Sequence, residues 1–186
     1  MSDAWMRARP TDTLLRFSYA ATNPYFMETV MSAPQQATPA SVDATMLLRR
    51  DHEAVSALFE QYEKARSKAK KFDLVQEICE ELTIHAQIEE EIFYPAVRKA
   101  LKDDDLLDEA QVEHNSLKKL IAEVEGKDVK AEPMFDAKIT VLSEYVKHHV
   151  KEEQDEMFPK AKKSGLDLKA LGAELAARKE ELKVTA

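Results

Sequence analysis

An all-α fold is predicted: an up-down-up-down antiparallel four-helix bundle with a short C-terminal fifth helix and a flexible N-terminal extension. Three observations predict it. The 186 residues include only three glycines, Gly126, Gly165 and Gly172, against abundant Ala, Leu, Glu and Lys, a balance that favours helix over strand. Four stretches carry apolar residues at alternating three- and four-residue steps, the period of a helix with one buried face. The segments between these stretches are short and polar, which makes successive helices antiparallel neighbours.

Residues 1 to 30 hold Trp5, Phe17, Tyr19, Tyr25 and Phe26 without a sustained period, and Pro10 and Pro24 interrupt any long helix. Residues 31 to 41 are rich in Pro, Ala, Gln, Ser and Thr, with little apolar area to bury. Residues 1–41 are therefore expected to be a flexible or loosely docked extension, 42–163 the bundle, and 164–186 an amphipathic helix and tail.

The first helix is expected over about 42–69, capped by Ser41, with Thr45, Leu48, His52, Val55, Phe59 and Tyr62 on its inward stripe. The charged run Lys64 to Lys71 reads as a solvated helix end and turn. The second helix, about 72–101, aligns Val75, Ile78, Leu82, His85, Glu89 and Ile92. Pro95 should kink or tighten it, because proline removes a backbone donor.

Lys102-Asp103-Asp104-Asp105 reads as a polar turn; the alternating ligand spacing of a calcium loop is missing. The third helix, about 105–125, carries Leu107, Ala110, His114, Leu117, Ile121 and Val124 inward and ends at Gly126. The fourth starts near Glu132-Pro133, with Phe135, Ile139, Leu142, Val146, His149 and Glu153 on one stripe and Pro159 downstream. Leu168, Leu171 and Leu175 mark a fifth helix over about 167–182, expected to pack over one end of the bundle.

A formal charge of −8 with no extended basic cluster argues against nucleic acid and against anionic membrane surfaces as partners. No run of apolar residues is long enough for a membrane span, and Asp3, Asp12 and Glu28 interrupt the Arg-bearing N-terminus where a secretory signal would need an apolar stretch. A cytoplasmic location is expected. Cys79 is the only cysteine, which excludes an internal disulfide and a thiolate metal cage and reads as a small buried hydrophobe.

The chemistry lies in a repeat. His85 precedes Glu89 by four residues and Pro95 by ten, and His149 stands in the same relation to Glu153 and Pro159. Four residues is one helical turn, so each imidazole and carboxylate share a face. An acid-histidine dipeptide precedes each copy, Asp51-His52 by 33 residues and Glu113-His114 by 35. Any one inward histidine could be a core residue with a single hydrogen bond. Four imidazoles and two carboxylates at one level of a bundle would cost several kcal/mol unless something paired them, and a metal centre does so. Six N and O donors, two of them carboxylates able to bridge, suit two ions; iron, manganese and zinc all accept such ligands.

These residues, Asp51-His52, His85 to Glu89 with Phe93-Tyr94-Pro95, Glu113-His114, and His149 to Glu153 with Phe158-Pro159, resemble the hemerythrin-like, HHE cation-binding domain over about residues 42–160. The resemblance implies that His52, His85, His114 and His149 are iron ligands and that Glu89 and Glu153 bridge two non-haem iron ions, Fe2+ or Fe3+, together with an oxo or hydroxo bridge. His148 has the same spacing to Glu152 as His149 has to Glu153, but the apolar stripe and the distance to Pro159 select His149. The oxygen-carrying members use a fifth histidine one turn after the third-helix ligand. Here that position is Lys118, about 40° round the helix from His114, its cation either reaching solvent or lying near the site.

The expected function is a di-iron protein that binds or reacts with dioxygen, peroxide or nitric oxide in sensing, iron handling or oxidative-stress defence. A small diatomic or peroxide ligand is thus the expected partner. Binding is preferred to turnover; the alternative is an enzyme with peroxide-disproportionating or oxidase activity. A further alternative is an interaction module with a structural metal, in which the chain ends dock a protein partner.

Overall fold

The structure, a computed structural model, describes residues 42–101, 104–129 and 131–185. The expected extension, residues 1–41, lies outside the described residues, as does Ser41, the expected first cap. Helix α1 runs Ala44–Lys64 and is capped by Asp43, whose side chain accepts the amide of Met46. Helix α2 runs Lys68–Ile88, so the lysines assigned to a turn form its first turn instead. Ser67 causes the early start by capping the Lys70 amide. Lys71 then spans α1 and the fourth rod, bonding Asp136 at 2.7 Å and lying 4.7 Å from the centre of the Tyr62 ring.

After Ile88 the helix does not tighten; it widens. Glu89–Phe93 forms a π turn, closed by the Tyr94 amide donating to the Glu89 carbonyl, and α3 continues over Tyr94–Leu101. The same device recurs. Helix α5, Phe135–Glu152, passes into a π turn at Glu153–Met157, closed by Phe158 onto Glu153, and then into α6, Phe158–Lys163. A proline ring clashes with the carbonyl four residues back, and a widened turn before Pro95 and Pro159 removes that clash without ending the rod. Proline also leaves the Gln154 carbonyl without its donor five residues on; Arg49 donates to it at 3.1 Å.

Helix α4, Asp104–Val124, connects the halves and ends at Gly126, whose φ of +65° is the left-handed cap expected there. Helix α5 starts three residues later than the Glu132-Pro133 signal implies. Met134 adopts φ +58° and its carbonyl accepts from Lys138, placing the buried Phe135 as first residue of the helix. Helix α7, Leu168–Thr185, does not sit over an end. It lies along α1, α2 and the first π turn. Buried Leu175 faces the core, while Lys179 bonds Asp51 and Glu81, and Arg178 bonds Glu91. Gly172 permits the approach, since a Cβ there would stand 2.1 Å from the Val42 carbonyl oxygen.

The four rods, α1, α2 to α3, α4, and α5 to α6, form the antiparallel bundle. Its apolar interior is divided. One cluster includes Val55, Phe59, Ile78, Leu82, Leu117 and Leu142; the other includes Leu48, Ile88, Phe93, Leu107, Phe158 and Leu175. Phe93 and Phe158 meet edge to face at 5.7 Å, each burial worth about 1.5–3 kcal/mol. Cys79 is buried in the first cluster, and that burial, with the Glu125 charge, pushes its thiol up to about 12. Between the two clusters lies a polar layer. It comprises His52, His85, Glu89, His114, His149 and Glu153, all buried.

Candidate metal centre

Each rod contributes to the layer from within its apolar stripe: α1 gives His52, α2 gives His85, α4 gives His114 and α5 gives His149. Glu89 and Glu153 are the first residues of the two π turns. The structure brings together all six side chains selected from the sequence. His52 Nε2 and His85 Nε2 lie 3.0 Å apart, as do His114 Nε2 and His149 Nε2. Glu89 spans the pairs, 3.2 Å from His85 and 3.4 Å from His114 through opposite oxygens. Glu153 Oε2 lies 3.2 Å from His52 and 3.7 Å from His149.

The outer nitrogens explain the acid-histidine dipeptides. Asp51 does not serve its neighbour His52; it faces His85 Nδ1 at 3.5 Å, in ion-pair range without a formed hydrogen bond. Glu113 likewise serves His149, accepting from Nδ1 at 2.8 Å. The residue after each bridging glutamate serves the remaining histidine of the other repeat: Glu90 meets His114 Nδ1 at 3.0 Å, and Gln154 meets His52 Nδ1 at 3.0 Å. A carboxylate on Nδ1 keeps the proton there and turns the Nε2 lone pair inward, the tautomer a ligand needs.

Lys118 stays out of the layer. It holds both oxygens of Glu90, at 2.7 and 2.6 Å, and so acts on His114 through that carboxylate. His148 is exposed, on the opposite side of Glu113 from His149.

Tyr94 was not among the sequence candidates for the site. Its hydroxyl lies 3.0 Å from Glu153 Oε1, 3.2 Å from His114 Nε2 and 3.5 Å from both His149 Nε2 and Glu89 Oε2. An α-helix would place Tyr94 about 140° round from Glu89. The π turn returns it to the same face. The equivalent residue of the second repeat is Phe158, whose ring stacks on His52 at 5.9 Å and 3°.

Left to themselves these groups compete for protons. Burial disfavours charge on His85, yet Glu89, Asp51 and Glu153 outweigh it and raise the ring to about 10. Burial and the neighbouring His149 charge depress His114 to about 4. Burial and the Glu153 charge raise Glu89, whereas His149 and His52 hold Glu153 well below the usual carboxylate range despite its burial. Burial, with Glu153 and Glu89, pushes the Tyr94 phenol well above its usual value.

Glu89 Oε1 and Glu153 Oε2 are buried and have no hydrogen-bond partner among the described residues. Orphaned carboxylate oxygens cost several kcal/mol there, and a cation between them and the Nε2 atoms satisfies both. The donors divide into two groups whose ligand atoms lie within 4.8 Å of one another: His52, His85, Glu89 and Glu153, and Glu89, His114 and His149. Glu89 belongs to both. The residues fit a metal centre in which the Glu89 carboxylate is shared.

The hemerythrin HHE cation-binding domain model matches residues 43–161, well over half of the chain. The chain belongs to this family. The HHE chain is also similar to the crystal structure of an HHE cation-binding domain-containing protein from Mycobacterium kansasii, at 24% identity and a TM-score of 0.66, covering 77% of this chain and 89% of that one. At that identity the likeness concerns the fold. A DNA nickase from Nostoc sp. is 30% identical over 112 residues, 60% of this chain; the match spans only 31% of that protein's length. No helix among the described residues of this HHE domain is long and apolar enough to cross a membrane.

Proposed function

We propose that the protein holds two iron ions between its histidine pairs and binds or reacts with a small oxidant, dioxygen, peroxide or nitric oxide, in sensing, iron handling or oxidative-stress defence. The observation that carries this reading is a cavity of about 20 Å³ bounded by His52, His85, His114 and His149. Its other walls are mostly apolar, Val55, Leu82, Leu117, Ile121 and Val146 among them, with Asp51 and Lys118 as the charged side chains. That is room for about one water-sized molecule, which suits a diatomic or a peroxide. A reduced iron pair supplies electrons to such a ligand. The chain supplies the rest: Glu89 and Glu153 balance charge, Glu90 and Glu113 fix the tautomers of His114 and His149, and Asp51 faces His85 Nδ1 in ion-pair range. Iron-supplied protein should contain about two irons per chain and show ligand-to-iron absorption in air. Fewer than one iron, or a spectrum unchanged by oxidant, would overturn the proposal.

A second reading, peroxide turnover, is favoured by Tyr94. Its O–H lies 3.0 Å from Glu153 and within 3.5 Å of His114, His149 and Glu89, in reach of a substrate oxygen held in the layer. Sustained oxygen release over many equivalents of peroxide separates it from stoichiometric binding.

A further inference from the structure

The second repeat contains a histidine-glutamate pair that the buried centre does not use. His148 and Glu152 lie one turn apart on α5, and Glu113 reaches them from α4. His148 Nε2 is 3.2 Å from Glu152 Oε1 and 3.4 Å from Glu113 Oε1. We propose that Glu113, His148 and Glu152 form a separate surface site for one divalent first-row transition cation, such as Zn2+ or Co2+.

Four observations carry it. One ligand atom from each residue lies within 4.8 Å of the others, close enough for a single ion to touch all three. One imidazole and two carboxylates are a donor set such cations accept. Among the described residues, neither Glu113 nor Glu152 pairs with a lysine or arginine; their ion pairs run to histidines. The two carboxylates therefore flank one imidazole with no fixed cation between them. Finally, Glu113 and His148 line a cleft of about 430 Å³ on the α4 and α5 face, which leaves the remaining coordination positions open to water.

The site is joined to the buried one by a single carboxylate. Glu113 Oε1 faces His148 while Oε2 accepts from His149 Nδ1 at 2.8 Å. A cation on Oε1 draws electron density from the group that supports His149, so surface occupancy weakens that histidine as a donor.

The test is a Co2+ titration of the full chain, its buried centre already loaded with iron, followed by ligand-field absorption and calorimetry. Wild type should take one more Co2+ than His148→Ala. His148→Ala and Glu152→Gln should each weaken that equivalent at least about tenfold, with iron content unchanged. His148 is exposed and Glu152 half-buried, and unchanged unfolding of both variants is checked alongside. Equal Co2+ stoichiometry and affinity in wild type and His148→Ala would overturn the proposal. So would loss of iron in His148→Ala, which would place His148 in the buried centre.

Discussion

Tyr94 and Phe158 occupy the same position in the two repeats, each donating its amide to the carbonyl of a glutamate in the buried layer, yet one presents a hydroxyl and the other a bare ring. The centre is thereby made unequal. His114 and His149 have a phenol beside them, whereas His52 has a stacked phenyl.

Tyr94→Phe should keep the fold and change the centre. The loss of the 3.0 Å contact to buried Glu153 should cost about 1–3 kcal/mol in denaturant unfolding. Peroxide turnover, where wild type shows it, should fall with the loss of the hydroxyl beside Glu153. Unchanged unfolding and unchanged turnover in the variant would leave that hydroxyl without a role at the centre.

Glu89→Gln should act in opposite directions on metal and on fold. Burial and the Glu153 charge disfavour the Glu89 carboxylate, so the neutral amide should leave the metal-stripped protein at least as stable as wild type. Glu153→Gln should instead destabilise it by about 3–5 kcal/mol, because His149 and His52 lose the charge that pairs them. Both should lower iron content measured by elemental analysis. A stripped Glu89→Gln protein less stable than stripped wild type would mean that this carboxylate serves the fold rather than a cation.

Metal uptake should release protons. His85 is held at about 10, because burial is outweighed by Glu89, Asp51 and Glu153. A ligand imidazole must be neutral, so below that value each ion bound at His85 displaces a proton. Affinity should rise about tenfold per pH unit between about pH 6 and 9 and level off above about 10. Competition titrations with a chromophoric chelator would show this, and a flat profile would exclude His85 as a ligand.

Gly172→Ala should release α7 from the bundle. The added Cβ would stand 2.1 Å from the Val42 carbonyl and 2.8 Å from the Ala44 amide, both backbone atoms with little room to move. A cost of about 1–3 kcal/mol is expected, together with faster hydrogen exchange along 168–185. Unchanged exchange would show that the packing tolerates the methyl group.

Much of this was legible in the sequence because it obeys helical periodicity. His52, His85, His114 and His149 each sit within an apolar stripe, and the repeat gave Glu89 and Glu153. Tyr94 was not legible, since a wheel of 3.6 residues per turn puts it far from Glu89 and only the π turn brings it back. The paired prolines were the available signal. They mark where an ordinary turn cannot continue, and a widened turn is one way through. The crosswise support of histidines by Asp51 and Glu113 was hidden for another reason: a sequence shows which residues are adjacent, not which rods face each other. The course of α7 depended on Gly172, whose close approach to α1 no local pattern announces.

The π turns fix what a change of length does here. Removing one residue between Glu89 and Tyr94, or between Glu153 and Phe158, would leave an ordinary helix with the aromatic four residues on, about 40° round and still on the face of its glutamate. The rod beyond would keep its direction, but the proline ring would meet the carbonyl that the wider turn carries clear of it. A one-codon deletion there would therefore strain the rod without scattering the donors.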